Sequence, residues 1–329
     1  MHLSILDLVP VDGSHDDKVA LYNTVDLAKM ADTLGYRRYW IAEHHNLPTV
    51  ASAATETIMN KILSVTSQLR VGSGGIMIPN HSPLRIAESF KTMEAFYPNR
   101  IDLGIGRAPG TDGLTAFALR RSNQPYNADN LSGQLSELFN YDAFHEWTVD
   151  NELAHIRAIP YSVPLPPVYV LGSSKGSARF AAQQELSYVY AYQFNQNDVK
   201  EAVMQYRQAL QDKQHQNVIV SVSVIGGQTE DEVQYLKKTA ILKFLNSAGM
   251  IQDIDWDHIN EIELSLQHQR MGESYIQSQL IGTFDELKQQ LTDLANDLEV
   301  DELMISTTQF GATSRQNLYQ SLSTLIDKQ

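Results

Sequence analysis

The first hundred residues carry a regular beat, and that beat limits the folds open to this chain more than any other feature. Short apolar runs (Leu3–Leu8, Arg37–Ala42, Leu69–Ile78, Ile101–Ile105) alternate with longer stretches of helical spacing. The first such stretch, Asp16 to Leu34, places Val19, Leu21/Tyr22, Val25, Leu27/Ala28 and Ala31 on one side, and Gly35 follows as a C-cap. Ala53 to Thr66 reads as the second helix, and Pro83 opens the third, which runs to Phe96. Short apolar strands separated by helices point to parallel strands joined by right-handed crossovers.

The beat breaks at Gly110 to Pro166, a polar segment read as a helix plus irregular loop. It resumes with strands at Val168–Leu171, Tyr188–Tyr192 and Val218–Ile225, and with helices up to about Glu185, over Asp198–Asp212 and from Thr229. A polar excursion around Gln252–Gln279 follows, then a helix at Phe284–Leu298, a strand at Glu302–Ser306 and a closing helix at Ser314–Ile326. Eight strands imply a (β/α)8 TIM barrel, one domain over residues 1–329, with insertions after strands 4 and 7 at about 110–166 and 250–280. A doubly wound open sheet is the alternative. Closure decides between them, because only a barrel sets the last strand beside the first.

A formal charge of −14 over 329 residues argues against nucleic acid and anionic membrane surfaces, both of which need a basic face. There is no cysteine, which excludes disulfides, thiolate metal sites and cysteine nucleophiles. The N-terminus does not read as a signal peptide, and no stretch approaches the roughly 20 apolar residues of a membrane span. The expectation is a soluble cytoplasmic protein.

In a barrel, the residues after each strand face one pocket. Here they are Asp7, Glu43-His44-His45, Pro79-Asn80-His81, Gly106-Arg107, Gly172-Ser173-Ser174, Gln193-Phe194-Asn195 and Thr307-Thr308. The turn Gly172-Ser173-Ser174-Lys175-Gly176-Ser177 offers small residues, hydroxyls and helix-start N–H groups that suit a phosphate, although an ordinary N-cap explains it alone. Arg107 strengthens the phosphate reading, since guanidinium grips phosphate at two points. Gly74-Gly75 inside a strand marks either close approach of a flat ring to bare backbone or a bend for closure. His44 and His45 with Glu43 raise the question of a metal. Neighbouring strand residues point to opposite faces, and no His-x-x-x-His spacing is present, so the expectation is acid-base or hydrogen-bond use with no metal. Without a Gly-x-Ser-x-Gly elbow or cysteine, nucleophilic hydrolysis has no support.

Four pieces together resemble the bacterial luciferase-like flavin monooxygenases. They are Glu43-His44-His45, the run Val71 to Pro83, the run Asn99 to Arg107, and Pro167 to Ser174. The resemblance runs across most of the chain and is nearer to the uncharacterised luciferase-like oxidoreductases than to true light emitters. It implies a (β/α)8 barrel using reduced FMN and oxygen. It implies that His44 is the catalytic histidine beside the flavin, and that Gly74 and Gly75 lie under the ring where luciferase has a non-proline cis peptide. It further implies that Arg107, Ser173, Ser174 and Ser177 bind the flavin phosphate. This chain has Gly106 where luciferase has a cysteine and Ser173 where luciferase has a glutamate, so light emission and a long-chain aldehyde substrate do not carry over. The partners implied are a small-molecule substrate, oxygen, a separate flavin reductase and a second copy of the chain in a homodimer. The alternatives are an F420-dependent oxidoreductase and a flavin-binding protein without turnover.

Overall fold

The computed structural model describes residues 1–13, 16–121, 130–142, 153, 155–211 and 218–327. In chain order the elements are β1 (His2–Asp7), α1 (Asp17–Leu34), β2 (Arg38–Ile41), α2 (Thr55–Leu63), β3 (Arg70–Ser73), β4 (Ile76–Met77), α3 (Pro83–Phe96), β5 (Ile101–Gly106), α4 (Gly113–Arg120) and α5 (Leu131–Asn140). They continue with β6 (Val168–Gly172), α6 (Lys175–Gln183), β7 (Ser187–Ala191), α7 (Val199–Ala209), β8 (Val218–Gly227), α8 (Glu230–Ser247), α9 (Leu266–Ile276), β9 (Leu280–Thr283), α10 (Phe284–Leu298), β10 (Glu302–Ser306) and α11 (Ala312–Leu322).

Closure settles the alternative left by the sequence. β10 pairs in parallel with β1 (Leu3 opposite Leu303) and with β8 (Val220 opposite Leu303). The open sheet is thereby excluded, and the strands form a closed, parallel eight-stranded barrel with helices between them, a (β/α)8 barrel. Its third strand is split at Gly74-Gly75, so that β3 pairs the start of β5 and β4 pairs its end.

Two packed regions hold the barrel. Outward-facing strand residues such as Leu3, Ile5, Tyr39 and Val71 meet the helix layer in the main core. Inside, Leu6, Trp40, Tyr169, Val189, Ile219 and Met304 fill the lumen. Each fully buried aliphatic side chain of this kind stabilises the fold by about 1.5–3 kcal/mol.

The sequence misassigned several details. α1 buries Val25, Leu27, Ala28 and Ala31 as expected, together with Ala20 and Thr24, whereas Val19 and Tyr22 are exposed. A stripe of small residues lets the helix approach the barrel more closely than the larger side chains would. The segment near 250–280 was expected to be an irregular excursion, yet it contains α9 and leads straight into β9, which pairs the end of β8. α8 and α9 share a core of Ile225, Leu236, Ala240, Ile241, Leu245 and Ile276. Among its described residues the 110–166 insertion holds two helices, α4 and α5; its stretches 122–129, 143–152 and 154 lie outside them. The same holds for Asp212, the expected end of α7, whose described helix stops at Ala209.

Candidate active site

Parallel strands deliver all their C-terminal ends to one rim. β2 stops at Ile41, and the chain crosses that rim as Ala42, Glu43, His44 and His45. Glu43 is buried to 1% exposure. Its Oε1 accepts from His81 Nε2 at 2.7 Å and from His45 Nε2 at 2.9 Å, while Oε2 accepts from the Met77 N–H at 2.9 Å. Burial pushes the Glu43 carboxyl pKa up, but the hydrogen bond and charge of His81 and the other donors outweigh it, and the net shift is downward. For His81 burial pulls downward, and the bond to Glu43 and its charge reverse that into a net rise. The pair is therefore a carboxylate facing an imidazole that favours its protonated form.

His44 points elsewhere. Its Nδ1 is buried and has no hydrogen-bond partner among the described residues. Burial holds its pKa below the ordinary histidine range, against the pull of Glu43. The alternation argued from the sequence thus has a counterpart here, since Glu43 and His45 converge and His44 stands apart. The ligand atoms of Glu43, His45 and His81 lie within 4.8 Å of one another, close enough to hold a metal ion, and they are already in direct hydrogen-bond contact.

On the neighbouring strand the Gly74–Gly75 peptide is cis, and the Gly74 N–H donates to Ile41 O at 2.8 Å. Side chains have no room here. A Cβ at Gly74 would lie 2.3 Å from Leu6 Cδ1, and one at Gly75 would lie 2.9 Å from Gly104 O. Arg107 follows β5 and is exposed at the rim.

Next along, β6 turns into α6 through Ser173 and Ser174. Ser174 Oγ accepts from the Ser177 N–H, and Ser177 Oγ accepts from the Ser174 N–H, a full capping box. Ser177 Oγ also donates to Ser174 O and lies 2.8 Å from Tyr188 Oη. The cap explanation for these serines is therefore realised in the structure. Ser173 O accepts from Tyr190 Oη and Asn195 Nδ2, whereas the Ser173 hydroxyl makes no hydrogen bond among the described residues. The N–H groups of Lys175 and Gly176 sit in the first turn of α6, where no intrahelical acceptor exists. A phosphate there would meet these N–H groups, the Ser173 hydroxyl and the helix dipole.

Asp7 leaves the expected set. Its carboxylate accepts from the Val9 N–H, Thr24 Oγ1 and Tyr39 Oη, which ties β1 to α1 and β2 on the helix side. Thr307 is likewise engaged, with Gln309 in a buried loop. Sequence reasoning expects Glu43 or His45 to fix the loop and leaves the roles of His45 and His81 undecided. Only the fold brings His81, which follows β4, onto the carboxylate that follows β2.

The fold and this strand-end rim define an enzyme of the (β/α)8-barrel class. The sequence profile of the luciferase-like monooxygenases matches residues 1–302, and the chain belongs to that family. The uncharacterized protein YddN of Bacillus subtilis (strain 168) is 34% identical, covering 99% of this chain and 96% of its own. The N-acetyl-S-alkylcysteine monooxygenase of the same organism is 29% identical over 99% of this chain and 98% of its own. The alkanal monooxygenase alpha chain of Photorhabdus luminescens matches at 25% identity over 58% of this chain and 53% of its own, and the present chain is not a true luciferase.

Among solved structures, apo-MsnO8 superposes with a TM-score of 0.81 at 29% identity, covering 98% of this chain and 97% of its own. The oxygenating constituent of 3,6-diketocamphane monooxygenase from Pseudomonas putida, solved with FMN, has a TM-score of 0.67 at 16% identity, covering 98% and 96%. An F420-dependent secondary alcohol dehydrogenase holding an F420-acetone adduct also reaches 0.67, at 14% identity and 98% coverage of both chains. The last two likenesses show the fold alone. Among the described residues no helix is long and apolar enough to cross a membrane.

Proposed function

We propose that this chain is an FMN-dependent monooxygenase that inserts one oxygen atom into a small organic substrate, with reduced flavin supplied by a separate reductase. One observation carries the reading. The buried Nδ1 of His44, without a hydrogen-bond partner among the described residues, follows β2, and the side-chain-free Gly74–Gly75 peptide follows β3, the strand paired with β2. A buried polar atom without a protein partner is completed by a ligand or water, and a side-chain-free strip accommodates a flat ring.

Bound reduced flavin would supply the electrons and the reactivity toward oxygen. The chain's own residues do the rest. Arg107, Ser173 and the first turn of α6 hold the phosphate, and the Ser174–Ser177 box fixes that turn. Gly74 and Gly75 lie under the ring. His44, kept neutral by burial, accepts or delivers one proton at Nδ1, depending on its tautomer. The packed lumen of Leu6, Trp40 and Tyr169 closes the floor against water. A homodimer in the cytoplasm completes the proposal, by analogy with the family.

The F420 neighbour favours a second reading, hydride transfer with the deazaflavin. Titration of the purified protein with FMN and with F420, followed by oxygen uptake with reduced FMN, separates the readings. Tight FMN binding with oxygen uptake supports the monooxygenase. Binding of F420 alone overturns it, and FMN binding without turnover identifies a flavin carrier. Arg107→Ala tests the phosphate assignment, and an unchanged FMN affinity removes it.

A further inference from the structure

We propose that Glu43 is the positioning residue of this site: one carboxylate, clasped by His81 and His45, sets the placement of both His44 and the Gly74–Gly75 strip. The proposal rests on the flavin reading above and adds what holds that site in shape.

The geometry points to a single anchor. Glu43 precedes His44 directly, so its fixation sets where the His44 backbone leaves β2. Its Oε2 takes the N–H of Met77, at the end of the short strand that follows Gly74–Gly75. Met77 in turn lies against Gly106, the last residue of β5, and Gly110 beyond it. A Cβ at Gly106 would stand 2.8 Å from Met77 Sδ, and one at Gly110 would stand 2.9 Å from Met77 Cγ and 3.2 Å from Glu43 O. Thr111 Oγ1 donates to His45 O at 3.0 Å, which closes the ring of contacts from the other side. The ends of three successive barrel strands are thereby referred to one buried carboxylate.

Charge decides how the clasp works. An ionised carboxylate only accepts hydrogen bonds, so both imidazoles must present Nε2–H to the same oxygen. Each histidine's tautomer is set by that requirement, and the Glu43 carboxylate 2.7 Å away favours the protonated form of His81. Groups facing this pair are His44 and His45 from the segment after β2, the Met77 N–H from β4, and the charge of Glu56 from α2 acting on His81. Loss of the His81 proton at high pH leaves Glu43 with neutral donors and loosens the strip. Protonation of Glu43 at low pH puts an O–H against N–H donors and does the same.

The test compares wild type with Glu43→Gln in three measurements. They are the His81 titration by proton NMR, steady-state kinetics against reduced FMN from pH 6 to 9.5, and Zn2+ binding by calorimetry. Wild-type His81 is expected to titrate above the ordinary value of about 6.5 and to fall back toward it in Glu43→Gln. Both KM for reduced FMN and kcat are expected to move, with kcat/KM falling on the order of 100-fold, the scale of an ångström-sized misplacement. Should Glu43→Gln fail to fold, His81→Gln replaces it. That variant keeps an N–H donor but no proton to lose, and its KM should show no alkaline rise. An unmoved KM and an unmoved His81 titration overturn the proposal. So does one equivalent of Zn2+ that wild type binds and Glu43→Gln does not, which makes the cluster a metal centre. A raised His81 midpoint abolished by Glu43→Gln, in a protein that binds no flavin, supports the clasp and overturns only the flavin reading.

Discussion

Arg38 Nη1 donates to Asp102 Oδ2 across 2.7 Å inside the barrel, with neither side chain more than 3% exposed. Asp102 also receives Trp40 Nε1 at 3.0 Å and Arg70 Nε at 3.0 Å, while Arg38 Nε reaches Glu302 at 2.8 Å. The network joins β2, β3, β5 and β10 at the barrel end away from the rim, where early strand residues such as Arg38, Arg70 and Glu302 lie. Removing one partner leaves an uncompensated buried charge. Asp102→Leu should therefore cost about 3–5 kcal/mol, read by urea denaturation. A loss under 1 kcal/mol would show that the network contributes little.

His44→Gln should keep the fold, since Nδ1 has no partner among the described residues to lose. Turnover should fall by about 10²–10⁴-fold if this group moves a proton. Because burial depresses its pKa, the imidazole is neutral in the folded protein over the pH range where a free histidine begins to charge. The His44 contribution to stability is thus full above about pH 6.5 and is lost as pH falls from there through the depressed folded value. Activity should show an acid limb set by the depressed folded value, below about pH 6.5, in wild type, and the limb should be absent in His44→Gln. An acid limb that persists unchanged in His44→Gln contradicts the assignment.

The serine turn separates capping from binding. Ser174→Ala removes a capping side chain that accepts from the Ser177 N–H, and should cost about 1 kcal/mol of stability. Ser173→Ala removes a hydroxyl with no hydrogen bond among the described residues, so thermal stability should hold while FMN affinity falls roughly tenfold, one charge-assisted hydrogen bond. Differential scanning fluorimetry beside flavin titration distinguishes them. Equal FMN affinity in wild type and Ser173→Ala removes Ser173 from the phosphate site.

Two glycines should respond in opposite directions. A Cβ at Gly104 would stand 2.1 Å from the backbone oxygen of Ser73, which cannot swing away, so Gly104→Ala should destabilise by roughly 1–3 kcal/mol. Gly176 lies in the first turn of α6, and its Cβ would meet only Ser174 Oγ, at 3.7 Å. Gly176→Ala should stabilise by about 0.5–1 kcal/mol through the lower entropy of the unfolded chain. Melting temperatures of the two variants check both signs.

Periodicity made most of the barrel legible, because strand and helix each bury one face and the apolar spacing records it. The strands at Ile101 and Glu302 and the helix at Phe284–Leu298 fall where that spacing sets them. At α1 it set Val25, Leu27, Ala28 and Ala31 inward as found, but also Val19 and Tyr22, which are exposed, while Ala20 and Thr24 are buried in addition, since size at a close interface is not part of a hydrophobic pattern. It also failed at β9, a four-residue strand whose partner lies far back along the chain in β8.

By itself the sequence determined the parallel class, the absence of thiol chemistry and the four segments whose resemblance marks the family. It also supplied His44, Gly74-Gly75, Arg107 and the serine turn as a set of strand ends. Closure was decided only by the tertiary structure, through hydrogen bonds between β10 and both β1 and β8. So was the Glu43 cluster, because His81 lies 38 residues from the carboxylate it donates to. Local spacing records which face of an element is buried, but it carries no record of which distant side chain arrives at a buried charge. Only the packed barrel brings the two together, where desolvation makes an unpaired carboxylate costly.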